Sequence, residues 1–91
     1  LPKDIVVEVP AKISKSGATG VCLKSFPSAF ASLLNNQVGV IKLTTDAILK
    51  KSKHCAYQAL LADPLVDNPK AASNLLDTML EIQKVYLDYL R

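Results

Sequence analysis

The one place where two potential metal ligands adjoin in this chain is His54 and Cys55, within "KKSKHCAYQALLADP". A zinc site needs three or four such ligands converging on one point. Consecutive helical residues diverge by about 100°, and no second pair exists elsewhere, so the pair reads as a surface histidine beside a buried cysteine. Nucleophilic chemistry finds no support either. The single histidine has no GxSxG serine to activate, and no GxGxxG or GxxxxGK[ST] loop offers backbone amides to a phosphate. Asp63 and Glu8 are carboxylates that acid–base chemistry could use. Asp63, however, precedes Pro64, where aspartate belongs to turn chemistry, and Glu8 lies on a mixed strand face, where a solvated or salt-bridged role is expected. Asn35, Asn36 and Gln37 interrupt an otherwise apolar helical pattern, so at least one amide turns inward or sideways. Because buried polar groups require partners, Asn36 and Gln37 are the substrate-facing candidates. No catalytic, cofactor-binding or metal-ligating residue is assigned.

The elements that must carry these residues are bounded by composition. Ninety-one residues make one domain, and folding at that length removes somewhat more than roughly 60% of the unfolded surface from water. The hydrophobic fraction is nevertheless 49%, with a mean hydropathy of +0.21. Some of that apolar surface is expected to face a partner. The formal charge is +3, with the lysines concentrated before His54. They are scattered, and the only aromatics among them are Phe26 and Phe30, which is not the clustered footprint of a nucleic-acid binder. Cys22 and Cys55 form neither a CxxC pair nor a disulfide framework, pointing to a reducing, cytoplasmic setting. No apolar run approaches the roughly 18 residues of a membrane span.

Along the chain, Ile5, Val7 and Val9 alternate with Val6 and Glu8 as in a strand. "SKSGATG" supplies a turn, and Val21–Leu23 a return strand, giving a hairpin over about 4–24. From Pro27 the period becomes helical: Phe30, Leu33, Leu34, Val38, Ile41 and Ile48 share a stripe. The first helix is expected over about 28–50, with Ser28 a candidate cap. Gly39 inside it costs about 1 kcal/mol relative to Ala, tolerable if another backbone approaches there. Ser52 is placed to cap a helix over about 53–62, which Asp63 and Pro64 stop. Asn68 and Pro69 start a third helix, running to about 90. Its packing face is expected to include Ala72, Leu75, Leu76, Met79 and Tyr86, with Tyr89 at the surface. The fold class is α+β, a β-hairpin followed by three helices.

The phrases "LPKDIVVEVPA", "NNQVGVIKLTTDAIL", "YQALLADPLVDN" and "LLDTMLEIQKVYLDYL", taken in order, resemble the C-terminal segment of family 4 glycoside hydrolases over essentially the whole chain. The resemblance implies that the chain belongs to the C-terminal α/β domain of a larger two-domain enzyme with a Rossmann nucleotide-binding domain, absent here. "DPLVDN" is similar to the branch acting on unphosphorylated α-galactosides, α-glucosides or α-galacturonides. Such enzymes are exceptions to the two-carboxylate scheme. NAD takes hydride from the sugar C3, the acidified C2 proton is removed, the glycosidic oxygen is eliminated, and water and hydride are returned. A divalent metal, usually manganese, steadies the developing charge. The family's nucleotide loop, metal-binding Cys and His, and catalytic Tyr and Asp all precede the matched segment. None is carried onto these residues: His54 and Cys55 stand where the family has acidic and apolar residues. Lys24 and Lys51 stand where it commonly has glycine.

The implied role is structural. This segment packs on the rest of its own parent chain and helps form a homo-oligomer, binds neither NAD nor manganese itself, and contacts no nucleic acid or membrane. Two other readings fit the broad pattern: a stand-alone helical interaction module, and the C-terminal part of a lactate or malate dehydrogenase-like oxidoreductase. The excess of apolar surface carries an expectation of its own, that the isolated 91-residue chain self-associates. Sedimentation at tens of micromolar checks this, and a clean stable monomer would contradict it.

Overall fold

A computed structural model of the chain describes residues 1–90. The fold is α+β, a two-stranded hairpin followed by helices. Two compact units divide it, the first ending at Leu34 and the second beginning at Asn35.

In the first unit β1 (Ala11–Ser14) and β2 (Gly17–Gly20) pair antiparallel, with Ala11 opposite Gly20 and Ser14 opposite Gly17. Gly17 makes the turn possible, since its φ of +113° lies where L side chains rarely go. Ser14 Oγ supports it by accepting from the Ser16 N–H at 3.3 Å. The ladder gains one further bond, from the Val21 N–H to the Pro10 carbonyl at 2.8 Å, and stops there. The strands are therefore shorter than the 4–24 hairpin expected from alternation. The physical reason is the lack of partners: the tight turn sets a register that leaves no strand beside Ile5–Val9, and Val21–Leu23 departs after its single bond. Every residue of both strands is exposed, Ile13 at 88%. A hairpin with neither face covered is marginal in water.

α1 (Ser28–Leu49) comes next in the chain. Its first helical bond runs from the Ala31 N–H to the Pro27 carbonyl at 3.0 Å. Ser28 is thus the first helical residue and not a side-chain cap; its carbonyl accepts from Ser32 Oγ. The helix ends in a Schellman arrangement. The Ser52 N–H reaches back to the Ala47 carbonyl at 2.9 Å, the Lys51 N–H reaches Ile48 at 3.3 Å, and Lys51 takes the left-handed conformation at φ 52°. Ser52 then caps α2 (Lys53–Ala62) at once, its side chain accepting from the Cys55 N–H at 3.1 Å.

The Asp63 N–H closes α2 onto the Leu60 carbonyl, and its Oδ1 accepts from the Leu65 N–H at 2.9 Å, a local turn. Asn68 caps α3 (Pro69–Ile82) through the Ala71 N–H at 3.1 Å, with Pro69 at the position where a missing N–H costs nothing. α2 and α3 run antiparallel: Lys53 Nζ lies 2.6 Å from Asp77 Oδ1, and Tyr57 OH donates to the Pro69 carbonyl at 3.2 Å.

The terminal helix departs from the continuous run expected to about 90. It breaks at Gln83, at ψ 21°, and resumes as α4 (Lys84–Leu87). The break rotates the faces of the residues beyond it. Leu87, Tyr89 and Leu90 line the groove between the helices, and Tyr86, expected in the core, is 74% exposed. Tyr89, expected at the surface, is half-buried. Only Ala47, Ala59 and Ala72, one from each long helix, are buried among the described residues, at 3%, 7% and 2% exposure. Gly39 does not receive the close backbone approach that would justify it, because a Cβ there meets nothing within 4 Å.

Lys51 offers a test of the α1–α2 corner. A left-handed L-residue costs about 1–2 kcal/mol, and glycine removes that cost while adding about 0.4–1 kcal/mol of unfolded-chain freedom. Lys51→Gly is expected to raise the thermal unfolding midpoint of the protein. A lowered midpoint would show that the lysine side chain contributes more than its backbone strain removes.

Candidate functional site

The second unit holds a groove of about 390 Å³ between its helices. Val40, Ala47 and Ile48 of α1, Ala59 and Leu60 of α2, Leu76, Met79 and Leu80 of α3, and Leu87 and Leu90 beyond them line it. It exists because small residues lie where the helices meet and leucines stand around them. Polar groups reach it only from Thr44, Asp63 and Tyr89. Thr44 Oγ1 donates to the Val40 carbonyl at 2.8 Å, and Asp63 Oδ1 serves its own turn. An aliphatic groove with so few polar groups can receive apolar side chains, but its lining has no pair of free carboxylates and no nucleophile with a base.

The residues singled out by sequence do not converge. Asn36 is exposed and its Nδ2 donates to the Ala62 carbonyl at 3.0 Å, one of the carbonyls that the end of α2 leaves without a helical partner. It thereby joins α1 to the end of α2. Gln37 is exposed and projects about 100° further round α1. His54 is exposed and Cys55 half-buried on consecutive positions of α2. Glu8 is exposed in the first unit. Two contacts lacked any sequence signal, Tyr57 to Pro69 and Lys53 to Asp77, because each joins residues far apart in the chain. At the end of α1, Asp46 holds Lys50 at 3.1 Å; that hydrogen bond, and then the attraction of the carboxylate, raise the lysine pKa.

These residues do not fit a metal or a dinucleotide. Among the described residues no three of His, Cys, Asp and Glu come together as a donor set. The start of α2 is preceded by Lys50, Lys51 and Ser52 rather than a glycine-rich loop, and Pro69 removes an amide from the start of α3. Among the described residues, no helix is long and apolar enough to cross a membrane.

Comparison with known proteins agrees with a part of a larger enzyme. The chain is 37% identical over 91 residues to an alpha-glucosidase of Erwinia rhapontici, covering 100% of this chain and 20% of that protein. It is 36% identical over 84 residues to the phospho-alpha-glucosidase PagL of Clostridium acetobutylicum, covering 92% and 19%. It is 34% identical over 88 residues to the 6-phospho-beta-glucosidase BglT of Thermotoga maritima, covering 96% and 21%. The chain therefore spans about a fifth of the length of these curated relatives. No solved structure matches it. The family model for the C-terminal domain of family 4 glycosyl hydrolases matches residues 1–66, more than half of the chain, and the chain belongs to that family.

Proposed function

We propose that this chain is the C-terminal structural and oligomerisation portion of a glycosidase that hydrolyses α-glucosidic bonds. The observation that carries this reading is the similarity to an alpha-glucosidase along the entire chain. The parent's chemistry is NAD-dependent oxidation, elimination and addition, assisted by manganese. In this reading both groups are held by residues of the parent outside this chain. The free thiols of Cys22 and Cys55 suit a reducing, cytoplasmic compartment.

The contribution of these residues is surface. Ile41 and Ile48 of α1 and Leu75 and Met79 of α3 are exposed, and apolar area of this kind stabilises a protein when a neighbouring surface removes it from water. The parent's other residues and a second subunit supply that cover.

Assay of the full-length protein with NAD, manganese and an aryl α-glucoside tests the reading. Hydrolysis with NAD recycled, so that a trace of cofactor supports many turnovers, is the expected result. Net conversion of NAD to NADH without sugar release would point to a dehydrogenase instead. Running the same glucoside with and without a 6-phosphate separates the two substrate classes named among the relatives.

The neighbouring amides divide differently. Asn36→Ala is expected to lower stability by about 0.5–1 kcal/mol through the lost bond to Ala62 while leaving the kinetics unchanged. Gln37→Ala, in our reading a substrate-facing change, raises KM or lowers kcat without moving the unfolding midpoint. Unchanged kinetics for Gln37→Ala would remove it from the site.

A further inference from the structure

Residues 5–13 of the first unit carry an unused strand edge. In an antiparallel ladder, residues alternate between pairs that exchange both backbone bonds and pairs whose N–H and C=O point outward. The bond from Val21 to the Pro10 carbonyl places Pro10 in the inner row. With Ala11 opposite Gly20 and Ile13 opposite Ala18, Lys12 is then inward, and Ala11 and Ile13 are outward. Proline ordinarily blunts an edge by withholding a donor. Here the missing donor falls on the inner side, and the outer edge of β1 keeps its full set of donors and acceptors.

Side chains favour the same edge. Along an extended segment alternate residues share a face; continued back from β1 in that way, Val7, Val9, Ala11 and Ile13 fall in one apolar row, with Val6, Glu8, Pro10, Lys12 and Ser14 on the other side. Val7, Val9 and Ile13 are exposed. The opposite edge offers much less: β2 has a glycine at each end, and its outward residues are Ala18 and Gly20.

We infer that β1 is an internal strand of a larger sheet, paired along its outer edge by a strand from the residues that precede Leu1 in the parent protein, which continues alongside residues 5–9. The inference rests on the proposed function only in needing those residues. Chain length selects this occupant over a second copy. Four-fifths of the length of the relatives lies outside this segment, and a strand tethered to the same chain acts at an effective concentration of about millimolar. The same pairing accounts for Ile5–Val9: they have the pattern of a strand and lack one because their neighbour lies elsewhere.

Backbone amide exchange in the full-length protein, followed residue by residue, tests this. Lys12, bonded inside the hairpin, is the internal reference. The expected result is that the Ala11 and Ile13 amides exchange about a hundredfold or more slowly than free amides, unchanged by about tenfold dilution. Free exchange at Ala11 and Ile13 would overturn the inference, whatever Lys12 does. Protection lost on dilution would assign the edge to a second copy, and protection at Ala18 and Gly20 in place of Ala11 and Ile13 would assign the opposite edge; either overturns it. A protein that protects Ala11 and Ile13 yet hydrolyses no glycoside would refute the proposed function and leave the strand pairing standing.

Discussion

Three methyl groups set the terms for everything else in the helical unit. Ala47, Ala59 and Ala72 are the residues that α1, α2 and α3 bury, and small side chains let helices settle with little between them. What they contribute is limited. Burying a leucine or isoleucine side chain stabilises by roughly 1.5–3 kcal/mol and a single methylene by about 0.8, whereas ordering each residue's backbone costs about 1–2 kcal/mol. A core of alanines cannot offset that cost over three helices. Many of the larger apolar side chains line the groove or face outward, and in the proposed parent protein further surfaces would cover them.

With packing so thin, geometry falls to the helix ends. The Lys51 and Ser52 corner closes one helix and opens the next through backbone bonds and one hydroxyl. Asn36 ties α1 to the far end of α2, and Tyr57 and Lys53 register α2 against α3. Each is modest, about 1 kcal/mol for a cap or a hydrogen bond and less for an exposed ion pair. Their value lies in direction: they fix where each helix starts and which way it leaves, so the apolar faces are presented in a set arrangement before anything covers them.

The features legible in sequence are those whose cause is local. Ser52, Asp63, Asn68 and Pro69 declared their roles because a cap or a turn needs only residues three or four positions away. Phrases such as "YQALLADPLVDN" carried the family resemblance, which the family match bears out. Features with distant causes were not legible. Alternation marked Ile5–Val9 as a strand, but a strand also needs a neighbour, and none of the described residues supplies one. Gln83 has no proline or glycine to announce a break, and beyond it the expected places of Tyr86 and Tyr89 are reversed. The polar interruption at Asn36 and Gln37 was plain, but the carbonyl that Asn36 meets belongs to another helix.

The unblunted edge of β1 has a consequence for how the protein is made. Exposed strand edges are templates for wrong pairing, and soluble proteins usually guard them with proline, charge or a bulge. In a C-terminal domain, the residues that precede the edge are synthesised first, and chains fold from the N-terminus as they emerge. When Ala11 and Ile13 leave the ribosome, the strand they pair with is already waiting. Order of synthesis takes over the protection that sequence would otherwise have to encode, and Pro10 is free to stand on the inner side of its ladder.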